Sequence, residues 1–106
     1  MNRLFNPEGD RMRGYELVFI ISPEIADEEV PDTIGRVSEL VNKTGGNVTE
    51  MSQWGRRKLA YPIRRFSEGN YVLAQLELEP ASAKELEANL RLSNEVMRHL
   101  LVRLGE

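Results

Sequence analysis

Gly55-Arg56-Arg57-Lys58-Leu59-Ala60-Tyr61-Pro62-Ile63 is the stretch around which the chain is organised. Leu59, Tyr61 and Ile63 alternate with other residues, and a period of two is typical of a strand. The segment 55–65 carries five cations and no Asp or Glu, and the cations are Arg56, Arg57, Lys58, Arg64 and Arg65. Because cations bind phosphate and aromatic rings stack on unpaired bases, we predict that these cations and Tyr61 bind RNA. A solvated edge strand is the alternative, since Lys and Pro also protect sheet edges from aggregation.

The size and charge of the chain limit the classes of protein it can represent. Its 106 residues suit one domain with a buried core, and the absence of cysteine excludes disulfides and thiolate metal sites. Residues 1–13 are predicted to be a flexible N-terminal extension without a signal peptide, and residues 14–106 the folded domain. Apolar runs such as 17–21 are too short to span a membrane. The net charge of −3 predicts a narrow RNA contact that is weak unless a second protein shares it.

Hydrophobic periodicity predicts six elements along the chain. They are a strand at 15–21, a helix at 27–43, one long or two shorter strands at 47–63, a strand at 71–78, a helix from Ser82, and a strand at 96–104. Residues 66–70 are predicted to form a turn. The spacing of Val48, Met51 and Trp54 by three breaks alternation and predicts a bulge, with Gly55 a second irregularity. Ser82-Ala83-Lys84-Glu85 matches the capping-box pattern at a helix start.

This order of elements predicts an α+β, ferredoxin-like split βαββαβ fold with a four-stranded antiparallel sheet and two helices on one face. The residues predicted to be buried between helices and sheet are Leu17, Phe19, Leu40, Leu76, Leu86 and Leu90. The first strand is apolar on both faces, which leaves apolar side chains on the open face of the sheet. A contiguous patch of this kind often marks a partner site. The predicted partner-binding residues are Val18, Ile20, Tyr71 and Leu73, with some residues of the last strand.

Catalytic constellations are absent from the sequence. The single histidine, His99, has no Cys, second His or cluster of acids near it in sequence, so no metal site is predicted. The same fold class hosts small acyl-phosphate hydrolases, which need a cationic cradle after the first strand. This chain has Ser22-Pro23-Glu24 there, and Glu24 would repel phosphate. We therefore predict no enzyme, no cofactor, no metal and no small-molecule substrate.

The stretch 55–63 closely resembles the signature of the bacterial small-subunit ribosomal protein S6 family. The similarity runs from about Gly14 to Arg103 and includes Tyr15-Glu16, Ser22-Pro23, Gly45, and Leu90-Arg91-Leu92 followed by Asn94 and Val96. The resemblance implies a structural protein of the small subunit of the cytoplasmic ribosome. It further implies that the chain pairs with small-subunit protein eighteen and, with it, binds the central domain of small-subunit ribosomal RNA.

A second hypothesis is a binder of single-stranded nucleic acid that stacks bases on the open sheet face. That face offers mainly Tyr71 among aliphatic side chains, which suits a protein partner better. A small hydrolase is the third and least favoured hypothesis.

Overall fold

The structure, a computed structural model, describes residues 11–105 as a four-stranded sheet with two helices. The elements in chain order are β1 (Arg13–Ile21), a 3-10 turn (Asp27–Glu29), α1 (Val30–Lys43), β2 (Asn47–Ile63), β3 (Phe66–Leu78), α2 (Pro80–Leu92) and β4 (Val96–Arg103). The strand order is β2-β3-β1-β4 with antiparallel neighbours, which confirms the predicted ferredoxin-like α+β fold. Residues 1–10 of the predicted extension lie outside the described residues, and β1 begins at Arg13.

The core lies between the helices and one face of the sheet. Alternate residues of β1, among them Leu17 and Phe19, are fully buried on this face. Leu76, Leu86 and Leu90 are buried there too, as predicted. Leu40 is only partly buried and packs at the margin of the core. Its prediction as a core residue was wrong because other residues of α1, such as Val37 and Val41, take the sheet-facing positions.

The predicted turn at 66–70 was wrong, because these residues are the start of β3. The hairpin turns at Arg64 and Arg65, and Ile63 pairs with Phe66. Arg64 adopts the left-handed backbone conformation with φ of 62°. Gly69, which suggests a turn, is needed for close packing instead: a Cβ there would lie 2.5 Å from Cγ2 of Ile20. The hairpin is therefore longer than its residue types indicate.

The predicted irregularities of the long strand are confirmed. The pairing of β2 with β3 shifts between Val48 and Glu50 and again between Gln53 and Gly55. Gly55 has φ of 86°, a conformation in which residues with a Cβ are strained. With a third shift between Lys58 and Ile63, the 17-residue strand is continuous but changes its pairing with β3 three times.

The start of α2 differs from the prediction. The helix begins at Pro80, and no side chain caps it. A proline fits the first turn because its missing N–H would have no partner there. Ser82 has a different role: its hydroxyl donates a hydrogen bond to the carbonyl oxygen of Thr44 at 3.0 Å, which ties α2 to the end of α1.

Glu95 joins the loop before β4 to α1. Its carboxylate accepts hydrogen bonds from Arg36, at 2.9 Å from Nε and 2.5 Å from Nη2, and from the Thr33 hydroxyl at 3.2 Å. Hydrogen bonding to the Arg36 guanidinium lowers the pKa of Glu95, against the opposing effect of partial burial. The same hydrogen bonds raise the pKa of Arg36. The pair therefore favours the charged form of both groups.

The first prediction tests the core. Leu86→Ala removes a fully buried side chain of α2 and is expected to lower the free energy of unfolding by about 2–5 kcal/mol. Leu92→Ala, in the same helix but 80% exposed, is the matched control and is expected to change it by less than about 0.5 kcal/mol. Denaturant titration measures both, and similar small losses would mean that the helix face is misassigned.

The second prediction concerns pH. A lowered pKa means that Glu95 stabilises the fold above its ordinary pKa of 4.5, and this contribution is lost as the pH falls through the lowered value. Glu95→Gln is therefore expected to lower the free energy of unfolding at neutral pH. The difference from the unmodified chain should shrink below about pH 4. Urea titrations at both pH values measure it, with Glu39→Gln, an exposed α1 carboxylate, as the control. A difference independent of pH would contradict the ion-pair explanation.

Candidate nucleic-acid and partner interface

The outer part of the β2–β3 hairpin projects beyond the rest of the sheet. Pairing of β1 with β3 ends where Ile21 meets Asn70, whereas β2 and β3 continue to their turn. We call residues 57–69 the arm. Tyr61 of the arm accepts a hydrogen bond from Arg98 of β4, whose guanidinium carbon lies 5.2 Å from the ring centroid. The arm therefore bends over the open face of the sheet, because β4 lies at the opposite edge.

The bent arm covers part of the predicted partner surface. Ile20 is only 7% exposed, and it lines a small cavity with Leu59, Tyr61 and Ile63 of the arm. The expectation that Ile20 lies uncovered was therefore wrong. Val18, Tyr71 and Leu73 are half-buried on this face. Three of the predicted partner residues thus keep accessible surface, and one does not.

Two exposed side chains on the open face belong to β4. Leu100 is 61% exposed beside Val18, and Val102 is 43% exposed beside Glu16. Their side of the sheet could not be predicted from the sequence, because the alternation of β4 is ambiguous until its register with β1 is known. We call the surface formed by Val18, Tyr71, Leu73, Leu100 and Val102 the open patch.

The five cations differ in their surroundings, because carboxylates distant in sequence lie beside two of them. Arg56 lies 3.4 Å from Asp27 and 3.3 Å from Glu68. Arg65 lies 3.3 Å from Glu24, and its guanidinium stacks on the Phe66 ring at 5.0 Å. Both charges are thus partly neutralised, which the cation count along the sequence could not show.

The other three cations have no carboxylate within ion-pair distance among residues 11–105. Arg57 stacks on the ring of Trp54, 5.4 Å from its centroid, and donates a hydrogen bond to the Trp54 carbonyl oxygen. Lys58 and Arg64 are exposed, and Arg64 occupies the hairpin turn. Arg57, Lys58 and Arg64 therefore present the available positive charge of the arm, while Tyr61 is already held by Arg98.

Trp54 is a candidate binding residue that the sequence analysis used only as evidence for a bulge. Its side chain is 42% exposed next to Arg57, although large aromatic side chains are usually buried. The signal available in the sequence was the position of the only tryptophan directly before the basic run.

No arrangement of side chains suited to catalysis or metal binding is found among the described residues. His99 lies on the helix side, with Nε2 3.1 Å from Oε2 of Glu87, and only 11% of its side chain is exposed. Across residues 11–105, no group of three or more His, Cys, Asp or Glu side chains could hold a metal ion. None of the described helices is long and apolar enough to cross a membrane.

Together, the ferredoxin-like fold, the aliphatic open patch and the basic arm define a class: a small α+β protein with one apolar and one positively charged surface. The chain belongs to the ribosomal protein S6 family, whose sequence model matches residues 14–103. Small ribosomal subunit protein bS6 of Moorella thermoacetica is 41% identical over 95 residues, which cover 90% of this chain and 97% of the relative. The bS6 protein of Desulforamulus reducens is 39% identical, with 90% and 100% covered.

A solved structure agrees with this assignment. The crystal structure of 30S ribosomal protein S6 from Thermotoga maritima superposes with a TM-score of 0.82 at 30% identity and covers 89% of each chain. The family resemblance and the fold predicted from the sequence are thereby confirmed. The chain is a ribosomal protein of the small subunit of the cytoplasmic bacterial ribosome, and its family is structural and non-enzymatic.

Proposed function

We propose that this chain binds the central domain of small-subunit ribosomal RNA together with small-subunit protein eighteen. The observation that carries the proposal is the position of the basic arm directly beside the exposed open patch. One surface suits a polyanion and the other suits a protein, so a single complex can use both.

The open patch suits a protein partner better than stacked bases. Leu100 and Val102 are exposed aliphatic side chains, and contiguous patches of this kind mark protein contacts. Tyr71 is half-buried, and Tyr61, although exposed, already has the Arg98 guanidinium over its ring, so aliphatic side chains dominate this face. Protein eighteen, which the family resemblance implies, would cover this patch.

The arm suits phosphate contacts. Arg57, Lys58 and Arg64 contact the RNA first, because no carboxylate neutralises them within residues 11–105. Arg56 and Arg65 contribute after exchanging their carboxylates for phosphate. That exchange is accessible because an exposed ion pair is worth only about 0–1 kcal/mol. The acidic balance of the chain, −3 overall, means that a basic partner must supply further cations.

Two arm variants test the RNA contact. Lys58→Ala and Arg64→Ala are each expected to weaken RNA binding by the protein pair and to reduce the salt slope of log K by about one. Arg56→Ala and Arg65→Ala should reduce it by less, because their charges are partly neutralised already. Titrations at several salt concentrations measure the slope, and Arg91→Ala on exposed α2 surface is the control. An unchanged affinity and slope for the triple alanine variant of Arg57, Lys58 and Arg64 would overturn the role of the arm.

Charged substitutions test the partner surface. Leu73→Glu and Leu100→Glu are each expected to weaken binding of purified protein eighteen at least about tenfold, because a carboxylate would be buried without a partner. Leu92→Glu, on an exposed part of α2, should leave the Kd unchanged. Calorimetry measures the Kd, and circular dichroism verifies the fold. An unchanged Kd for both patch variants would remove the open patch from the interface.

Co-sedimentation with small ribosomal subunits tests the proposal as a whole. The unmodified chain is expected to sediment with the subunit. A chain that carries both the patch and the arm substitutions is expected to remain unbound. Tight binding of ribosomal RNA by this chain without a partner would contradict the shared site.

A further inference from the structure

A cleft of about 420 Å³ lies between the beginning of α1 and the bulged part of β2. Its lining includes Asp27, Val30, Trp54, Gly55, Arg56 and Asn70. We call it the Trp54 cleft. It borders the open patch at Tyr71, which belongs to both surfaces, and its volume is within the range of small-molecule sites, about 300–1,000 Å³.

The bulge in β2 creates this cleft. Gln53 pairs with Val72 and Gly55 with Tyr71, so Trp54 between them has no cross-strand partner. A Cβ built on Gly55 would meet no heavy atom within 4 Å, which shows that the space beside the bulge is open. The irregular backbone thus places an exposed indole at the rim of a vacant space.

Asn70 lines this cleft and carries an unused hydrogen-bonding group, which a rotation of its buried amide would turn toward the cleft. The residue is 8% exposed, and its Nδ2 is buried without a hydrogen-bond partner among the described residues. Leaving a buried donor unpaired costs about 1–3 kcal/mol, so such a group in a folded protein calls for an explanation. An amide offers a donor and an acceptor side by side, which is the pattern that asparagine uses to bind the N6 and N7 atoms of adenine.

The charges around the cleft disfavour a phosphate and permit a neutral base. Arg56 is the cation in the lining, and it is shared between the carboxylates of Asp27 and Glu68. A phosphate in the cleft would have to displace both carboxylates from Arg56, whereas a neutral base would leave these ion pairs in place. The phosphates on either side of a bound base would instead contact Arg57 and Lys58, the two residues that follow Arg56 along β2.

We propose that the Trp54 cleft binds one unpaired adenine of an RNA strand, stacked on Trp54 and hydrogen-bonded to the amide of Asn70. This inference rests on the RNA-binding function proposed above and names the base that the protein reads. The arm then supplies affinity for RNA of any nucleotide sequence, and the cleft supplies the preference for adenine.

The fluorescence of Trp54 provides a direct test, because it is the only tryptophan in the chain. The complex with protein eighteen is titrated with end-labelled oligoadenylate and with oligouridylate of the same length. Anisotropy of the label reports binding. Tryptophan emission reports occupancy of the cleft, after subtraction of the signal from a complex that carries Trp54→Phe. Oligoadenylate is expected to quench Trp54 and to bind about five- to a hundredfold more tightly than oligouridylate.

Substitution of Asn70 separates recognition from folding. Asn70→Leu removes an unpaired donor, so the stability is expected to be unchanged or higher. The preference for oligoadenylate over oligouridylate should nevertheless fall to about one. Asn70→Asp keeps the shape but removes the donor, and it provides the same test if leucine does not fit. Lys58→Ala should weaken both oligonucleotides equally and leave their ratio unchanged.

Three results would overturn the inference. Binding of both oligonucleotides with equal affinity and without quenching would refute the cleft while leaving the RNA-binding function intact. Quenching of Trp54 on addition of protein eighteen alone would assign the cleft to the protein partner. Binding of neither oligonucleotide, together with failure to bind ribosomal RNA, would refute the proposed function and the cleft with it.

Discussion

The pairing of β1 on both of its edges is the constraint on which the rest of the structure depends. Each residue from Arg13 to Ile21 has a partner in β3, and most have one in β4 as well. A strand in this position must be apolar to pack against the helices. Val18 and Ile20 make the middle of its other face apolar too, next to Glu16, although the helices cover only one side. The open patch is therefore a direct consequence of how this strand is built.

The arm covers part of this apolar face with residues of the same chain. Its inner residues cover Ile20, and the contact between Tyr61 and Arg98 holds it across the sheet. The most exposed apolar residues of this face, Leu100 and Val102, lie on β4 at the edge of the sheet. The same hairpin that covers part of the face also presents cations, so one element both covers the sheet and carries positive charge.

Charge distribution in the folded chain differs from its distribution along the sequence. Residues 55–65 carry five positive charges in succession, but the loop after β1 and strand β3 bring carboxylates to two of them. Arg56 and Arg65 are ion-paired, whereas Arg57, Lys58 and Arg64 between them have no carboxylate within ion-pair distance among the described residues. A protein of net negative charge can present a locally positive surface in this way.

The sequence by itself determined the fold class, the order of elements, the bulges in β2 and most of the core. These features follow from periodicity and from glycine, which act over a few residues. Only the tertiary structure decided that residues 66–70 are a strand, that Ile20 is covered, that Leu100 and Val102 are exposed, and that Asn70 lies unpaired beside Trp54. Each of these depends on the register between strands distant in sequence or on the bend of the arm. Local sequence patterns do not specify this register, and a shift of one residue would exchange the two faces of a strand.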